Sequence, residues 1–447
     1  MATGRPTQST RNSSLHTLID RIRHLAMPLH EERDLDGLLD AIGNARFVLL
    51  GEASHGTAEY YRWRTAISRR LITEKGFSFI AVEGDWPDCY RVNRHIQGLG
   101  DPGETARDVL HTFARWPTWM WANEEVVELI EWLREYNRRC DIERRIGFYG
   151  LDVYSLWDSL YQIMGYLGTH DPAAQEMASR AIQCFQPYGE DAQEYARATR
   201  WIDESCEPEV VRLLATVRQS AAEFPGRDRE ARFNAEQNAI IVQNAEYYYR
   251  TMVRGGPGSW NIRDHHMAET LERLMQYHGP QAKAIVWEHN THIGDARFTD
   301  MADAGMVNVG QIVRRRHADQ GVVLAGFASY QGSVIAAAEW DAPLEQMRVP
   351  KAMAGSWESV LHDADGADKI LLTRNAPFSP EMFEPRGHRA IGVVYHPEFE
   401  RGNFVPTVLP RRYDALIYID TTHAVHPLHD MQPISAGEVP ETYPTGL

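Results

Sequence analysis

Phe47-Val48-Leu49-Leu50-Gly51-Glu52-Ala53-Ser54-His55-Gly56 passes from four apolar residues to a polar turn bounded by glycines. The apolar run is too short for a helix and reads as a fully buried strand. Thr57–Glu74 follows it, with Tyr60, Trp63, Ile67 and Leu71 at the spacing of one helical face. A buried strand, a tight turn and an amphipathic helix form one unit of an α/β sheet.

The same alternation extends along the chain. Phe79–Val82, Ile146–Tyr149, Ala284–Trp287, Val322–Ala325, Ile391–Tyr395 and Ala415–Ile419 read as further buried strands. A helical stretch over Glu104–Arg139, carrying Val126, Ile130 and Leu133, follows the second strand. This order predicts right-handed crossovers and an α/β fold with a mainly parallel central sheet flanked by helices. Between Leu156 and Gly255 the strand signal stops, and the pattern predicts helices over Trp157–Gly168, Ala173–Phe185, Asp191–Phe224 and Arg229–Val253. Gly255-Gly256-Pro257-Gly258 ends this block. The expected organisation is a disordered terminus over 1–14, a core of 15–155 and 256–435, an inserted helical lid over 156–255, and a tail over 436–447.

Composition narrows the function. The 447 residues are 43% hydrophobic and 24% charged, ordinary values for a globular chain. A net charge of -16 argues against nucleic acid and anionic membranes as partners. No run approaches a membrane span, and the polar Met1–Ser14 segment lacks the apolar stretch of a signal peptide. A cytoplasmic protein with a small-molecule substrate is expected; its oligomeric state is left open. Cys89, Cys140, Cys184 and Cys206 form no C-x-x-C pair and read as reduced thiols. No lysine lies in a P-loop pattern.

The chemistry gathers immediately after four strands. Glu52, Ser54 and His55 follow the first. Glu83, Asp85 and Trp86 follow the second, Asp152 the third, and Glu288, His289 and His292 the fourth. Parallel strands bring these groups to one sheet edge, where ligands of open α/β sheets bind. A neutral His55 could take a proton from water if a carboxylate, Glu52 or Glu83, oriented it. Arg64 shares the apolar face of the first helix and would need an anionic partner if it points inward. Ser54, Asp152 and Trp86 are candidate substrate contacts. Each has a plainer reading as a capping or packing residue.

Gly51-Glu52-Ala53-Ser54-His55-Gly56 with Arg64, Val82-Glu83-Gly84-Asp85, and Trp287-Glu288-His289-Asn290-Thr291-His292 together resemble the motifs of erythromycin esterases. Arg263-Asp264 and the segment from Tyr413 to Val425 are similar to further family motifs, so the resemblance spans about Arg46 to Leu428. It implies hydrolysis of a macrolactone ester without metal or cofactor. It also implies that Glu52, His55, Arg64, Glu83, His289 and His292 are the site residues. His55 would be the base, with Glu83 and His289 also catalytic. Three rivals stay open. Ser54 as nucleophile is disfavoured, because G-x-x-S-x-G is one residue longer than a nucleophile elbow. A metal hydrolase lacks a recognised ligand spacing. A binding protein could use the same cleft without chemistry.

Overall fold

The structure is a computed structural model that describes residues 8–189, 191–201, 205–223, 229–374 and 379–429. Its strands are β1 (Met27–Pro28), β2 (Phe47–Leu50), β3 (Phe79–Val82), β4 (Gly147–Gly150), β5 (Ala284–Trp287) and β6 (Val322–Ala337). They continue with β7 (Leu344–Val349), β8 (Lys369–Leu372), β9 (Arg386–Arg389), β10 (Phe404–Thr407) and β11 (Ala415–Thr422). The main sheet runs β1-β8-β11-β6-β2-β5-β3-β4. Neighbours from β11 to β4 are parallel, and β8 and β1 close one edge antiparallel. The sheet is therefore mainly parallel, as the strand–helix alternation predicts. All four residues of each of β2, β3, β4 and β5 are buried, because helices cover both faces.

Alternate strand residues feed two cores. Val48 and Leu50 join Ile80, Val82, Ile285 and Trp287 on one face. Phe47 and Leu49 join Phe79, Ala81, Ala284 and Val286 on the other. The helical block builds a third core from Leu160, Ile163, Phe185, Val210, Leu213, Val242, Tyr248 and Tyr249. The block therefore has a core of its own. Its helices are Leu156–His170, Gln175–Phe185, Ala192–Ala198, Glu207–Glu223 and Arg229–Met252. No helix among the described residues is long and apolar enough to cross a membrane.

Several local expectations change. Ile391–Tyr395 is not a strand: Ile391 bridges Ser54, and Val394 bridges Ala337, each in isolation. Its apolar residues are buried because the segment threads between the β2 turn and β6, which gives it hydrogen bonds without a continuous ladder. β6 is four times the expected length, since its distal half pairs with β7. The helix expected over Glu104–Arg139 is broken into Ala106–Leu110, a turn at Thr118–Met120 and Glu124–Arg138. The first seven residues and the 436–447 tail lie outside the described residues, and a helix begins at Gln8. The four-thiol expectation is corrected: Cys184 and Cys206 form a disulfide, while Cys89 and Cys140 are free. The bond joins helix Gln175–Phe185 to the start of Glu207–Glu223. These helices pack side by side, a proximity that a separation of 22 residues does not reveal.

Candidate active site

The turn after β2 is held by close backbone approach. A Cβ on Gly51 would lie 2.1 Å from the Asn290 side-chain oxygen, and one on Gly56 would lie 2.0 Å from the Ile335 carbonyl. Only glycine leaves that room. Asn290 N–H donates to the Glu52 carbonyl at 2.8 Å, so the turns after β2 and β5 are tied together. The strand ends thus converge as the motifs require.

Within this frame Glu52 bridges His55 and Arg64. Its Oε1 lies 2.9 Å from His55 Nδ1, and its Oε2 accepts from Arg64 Nη2 at 2.6 Å. Arg64 is fully buried beneath the site, sandwiched by the rings of Tyr61 and Trp287 at 4.5 and 4.6 Å. It points inward, as its helical face suggests, and it is not among the residues that line the cavity described below. Burial disfavours a charged His55, but the Glu52 hydrogen bond and the charges of Glu83 and Glu52 outweigh it, raising His55 above the ordinary histidine range. With Nδ1 taken by Glu52, Nε2 is the nitrogen left for the cavity that His55 lines.

His289 packs against His55, with ring centroids 4.9 Å apart. Its Nδ1 accepts from the Thr291 hydroxyl at 2.8 Å and faces the Thr291 amide. The proton therefore sits on Nε2, a tautomer assigned from the hydrogen bonds. Nε2 has no partner of normal geometry, although the nearby Ala53 carbonyl favours its protonation. Burial first, then the neighbouring His55, hold His289 well below the ordinary range, so it stays neutral.

A second network centres on Arg263, from helix Gly258–His278. It grips Asp152 with Nε and Nη2 at 2.9 and 2.6 Å, and Nη2 also donates to Glu83 at 2.7 Å. Its Nη1 donates to His292 Nε2 at 3.0 Å. His292 Nδ1 faces Asp264 at 3.0 Å, and Trp260 stacks on the ring. Glu83 also accepts the His289 amide at 2.8 Å. Burial works against the Glu83 carboxylate, but His292, Arg263, His55 and that amide hold it well below the usual range. Glu288 stays apart. It is fully buried, neither oxygen has a hydrogen bond, and burial with the charges of Glu83 and Asp264 pushes it well above the usual range.

A cavity of about 70 Å³ opens on these groups. Its inner end is formed by His55, Glu83, Asp152 and Arg263. Its wall comes from Phe113 to Trp121, with Tyr154, Trp340 and Val393. None of these lining residues belongs to the 156–255 block. Among the block's tyrosines, Tyr248 and Tyr249 pack in its own core, and Tyr247 is on the surface.

Two expected substrate contacts lie elsewhere. Trp86 stacks on Tyr149 and donates to Asn234 at 2.8 Å, inside the core. The Ser54 hydroxyl is buried against that of Thr57. Arg263 belongs to a motif of the sequence but is not among the expected site residues. Its signal was an Arg-Asp pair among Trp260, Met267 and Leu271, a charged pair on a buried helical face. The wall Phe113–Trp121 carries no such signal, because irregular backbone has no periodicity. Among the described residues, no three His, Cys, Asp or Glu side chains are arranged to hold a metal.

The erythromycin esterase family profile matches residues 72–422, downstream of the β2 turn. The type II erythromycin esterase of Escherichia coli is 25% identical over 370 residues, covering 77% of this chain and 84% of its own. A solved Bacillus cereus protein superposes with a TM-score of 0.74 at 19% identity, covering 93% of this chain and 99% of that one. A mutant erythromycin esterase in its open conformation gives a TM-score of 0.66 at 18% identity, covering 91% and 96%.

Proposed function

The chain belongs to the erythromycin esterase family, whose members are hydrolases acting on esters, and we propose that it cleaves a carboxylic ester by direct attack of water on the carbonyl. One observation carries this reading. His55 lines the cavity, and Glu52 occupies its other ring nitrogen. In the proposed step, His55 Nε2 takes a proton from water while the oxygen bonds to the carbonyl carbon. The tetrahedral oxyanion then collapses, the ester C–O bond breaks, and the leaving alkoxide recovers the proton from His55. Glu52 orients the ring and stabilises its charged form. Arg64 holds Glu52 in place. Neutral His289, with its Nε2–H unfilled, and Arg263 at the cavity's inner end are the groups suited to the oxyanion.

Metal independence belongs to the same proposal. The oxygens of Glu52 and Asp152 are held by hydrogen bonds to protein donors, as are those of Glu83. A macrolactone is bulky relative to this cavity. A 70 Å³ cavity is far smaller than the roughly 300–1,000 Å³ of pockets that enclose drug-sized ligands. Such a ring would present only its ester edge unless the Phe113–Trp121 wall moved. The test is a turnover screen of macrolides, simpler lactones and aryl esters with exhaustively chelated protein. Hydrolysis that survives chelation is expected. Activity lost on chelation and restored by zinc would put a metal mechanism in its place.

A further inference from the structure

The hydrolytic step uses only the inner end of the cavity. Two more carboxylates, Asp85 and Asp88, line it with Arg115 and the rings of Trp116 and Trp340; Asp88, Arg115 and Trp340 are partly exposed and mark its outer end. Around the whole cavity the carboxylates of Glu83, Asp85, Asp88 and Asp152 face two guanidiniums, those of Arg115 and Arg263. Arg263 is committed to Asp152 and Glu83. Arg115 lies 3.7 Å from Asp85 and stacks on Tyr154 at 4.5 Å. Asp88 feels Arg91 and Arg115 only as more distant charges, and it has Asp85 and Asp158 as neighbours of its own sign. Burial and those two carboxylates raise its acid to about 7. Arg91 and Arg115 thus compensate the Asp88 carboxylate only in part.

The walls suit a cation. The Trp116 and Trp340 rings pack against each other, centroids 4.6 Å apart, as one aromatic surface lining the cavity, and a 3.1 Å hydrogen bond from Trp116 Nε1 to the Ala342 carbonyl fixes one of them. Aromatic faces attract alkylammonium groups, more so when water is excluded. An anionic substituent would meet a surplus of carboxylates here. A neutral one would bury Asp88 without compensating it.

We propose that the outer end of the cavity is a specificity subsite for an alkylammonium substituent of the ester, with Asp88 as its counter-ion and Trp116 and Trp340 as its walls. The inference rests on the ester-hydrolase reading for its substrate class, but not for the binding itself. The ammonium group takes no part in bond making or breaking. It anchors the ester so that the carbonyl lies at His55.

Two isosteric probes test it: acetylcholine and its uncharged carbon analogue, 3,3-dimethylbutyl acetate. The expected kcat/KM is at least about tenfold higher for the charged ester, on the scale of one desolvated cation–π and ion contact. Asp88→Asn, nearly isosteric, should lower that ratio at least about fivefold. In parallel, tetramethylammonium binding is followed by tryptophan fluorescence with wild type and Asp88→Asn. Equal turnover of the two esters, unchanged by Asp88→Asn, overturns the subsite and leaves ester hydrolysis standing. Tetramethylammonium binding that Asp88→Asn weakens supports the subsite even if neither ester is hydrolysed; the hydrolase reading is then overturned only if the macrolide, lactone and aryl-ester screen also shows no turnover. Absence of both binding and charge preference overturns the subsite.

Discussion

His55 Nδ1 and Glu52 Oε1 lie 2.9 Å apart in a site where both side chains are almost wholly buried. Their separation in sequence is only three residues, yet the pairing depends on Arg64, which holds the other oxygen of Glu52 from below. With one oxygen on Arg64 and the other on His55, the carboxylate is fixed in place, and the histidine ring is held in one orientation. The first predictions follow from this relationship.

Removing the base should abolish most turnover. His55→Ala is expected to lower kcat on the order of a hundredfold or more, the scale of lost general-base catalysis. Ser54→Ala should retain most activity, since that hydroxyl is buried against Thr57. Rapid-mixing kinetics should show no burst, and intact-mass measurement no covalent adduct. An acyl group on Ser54, with Ser54→Ala inactive, would sink the assignment.

The pH profile should carry the mark of Glu52. His55 must be neutral to accept a proton, and its acid form is favoured above the ordinary range. The acidic limb of kcat/KM is therefore expected above about pH 6.5, the unperturbed histidine value. Glu52→Gln removes the charge that favours protonation, so the limb should move to lower pH. The linked stability has the same sign. The charged pair adds stability below about pH 6.5 that disappears as pH rises through the folded value. A limb that stays in place in Glu52→Gln would show that another group titrates.

Arg263 should be irreplaceable by lysine. A guanidinium serves Asp152, Glu83 and His292 at once, and an ammonium cannot reproduce that fork. Arg263→Met leaves two buried carboxylates uncompensated and is expected to cost about 3–5 kcal/mol in denaturant unfolding. Arg263→Lys should keep the fold but lose most activity. Full activity in Arg263→Lys would show that only the charge matters.

Glu288 should be a source of instability at high pH. Its acid is pushed well above the usual carboxyl range while the unfolded chain ionises near 4.5. The fold therefore loses stability as pH rises above about 4.5. Glu288→Met, similar in volume and apolar, should raise the melting temperature more at pH 8 than at pH 4.5. An equal shift at both pH values would mean that Glu288 is not the titrating group.

The helical insertion should depend on its disulfide. Cross-linking across 22 residues contributes about 3 kcal/mol in the chain-entropy account. Thiol titration of the denatured, non-reduced protein should find two thiols, from Cys89 and Cys140. Reduction should lower the stability of the insertion first. Cytosolic disulfides are uncommon, so four titratable thiols in protein isolated from a reducing cytoplasm would show the bond unformed there.

By itself the amino-acid sequence determined that β2, β3, β4 and β5 are buried parallel strands. Short, wholly apolar runs separated by helical patterns have no other stable arrangement. It also determined that Glu52, His55, Glu83, Asp152, His289 and His292 gather at one sheet edge, since each directly follows such a run. The tertiary structure alone decided the partners. It chose Glu52 rather than Glu83 for His55, placed Arg64 beneath the site instead of inside it, and turned Trp86 into the core. It brought Arg263 to Asp152 across 111 residues and joined Cys184 to Cys206. Strand and helix periodicity are local properties that a sequence displays directly. Which side chains meet depends on how distant elements pack and on where each side chain points, and no local pattern encodes that.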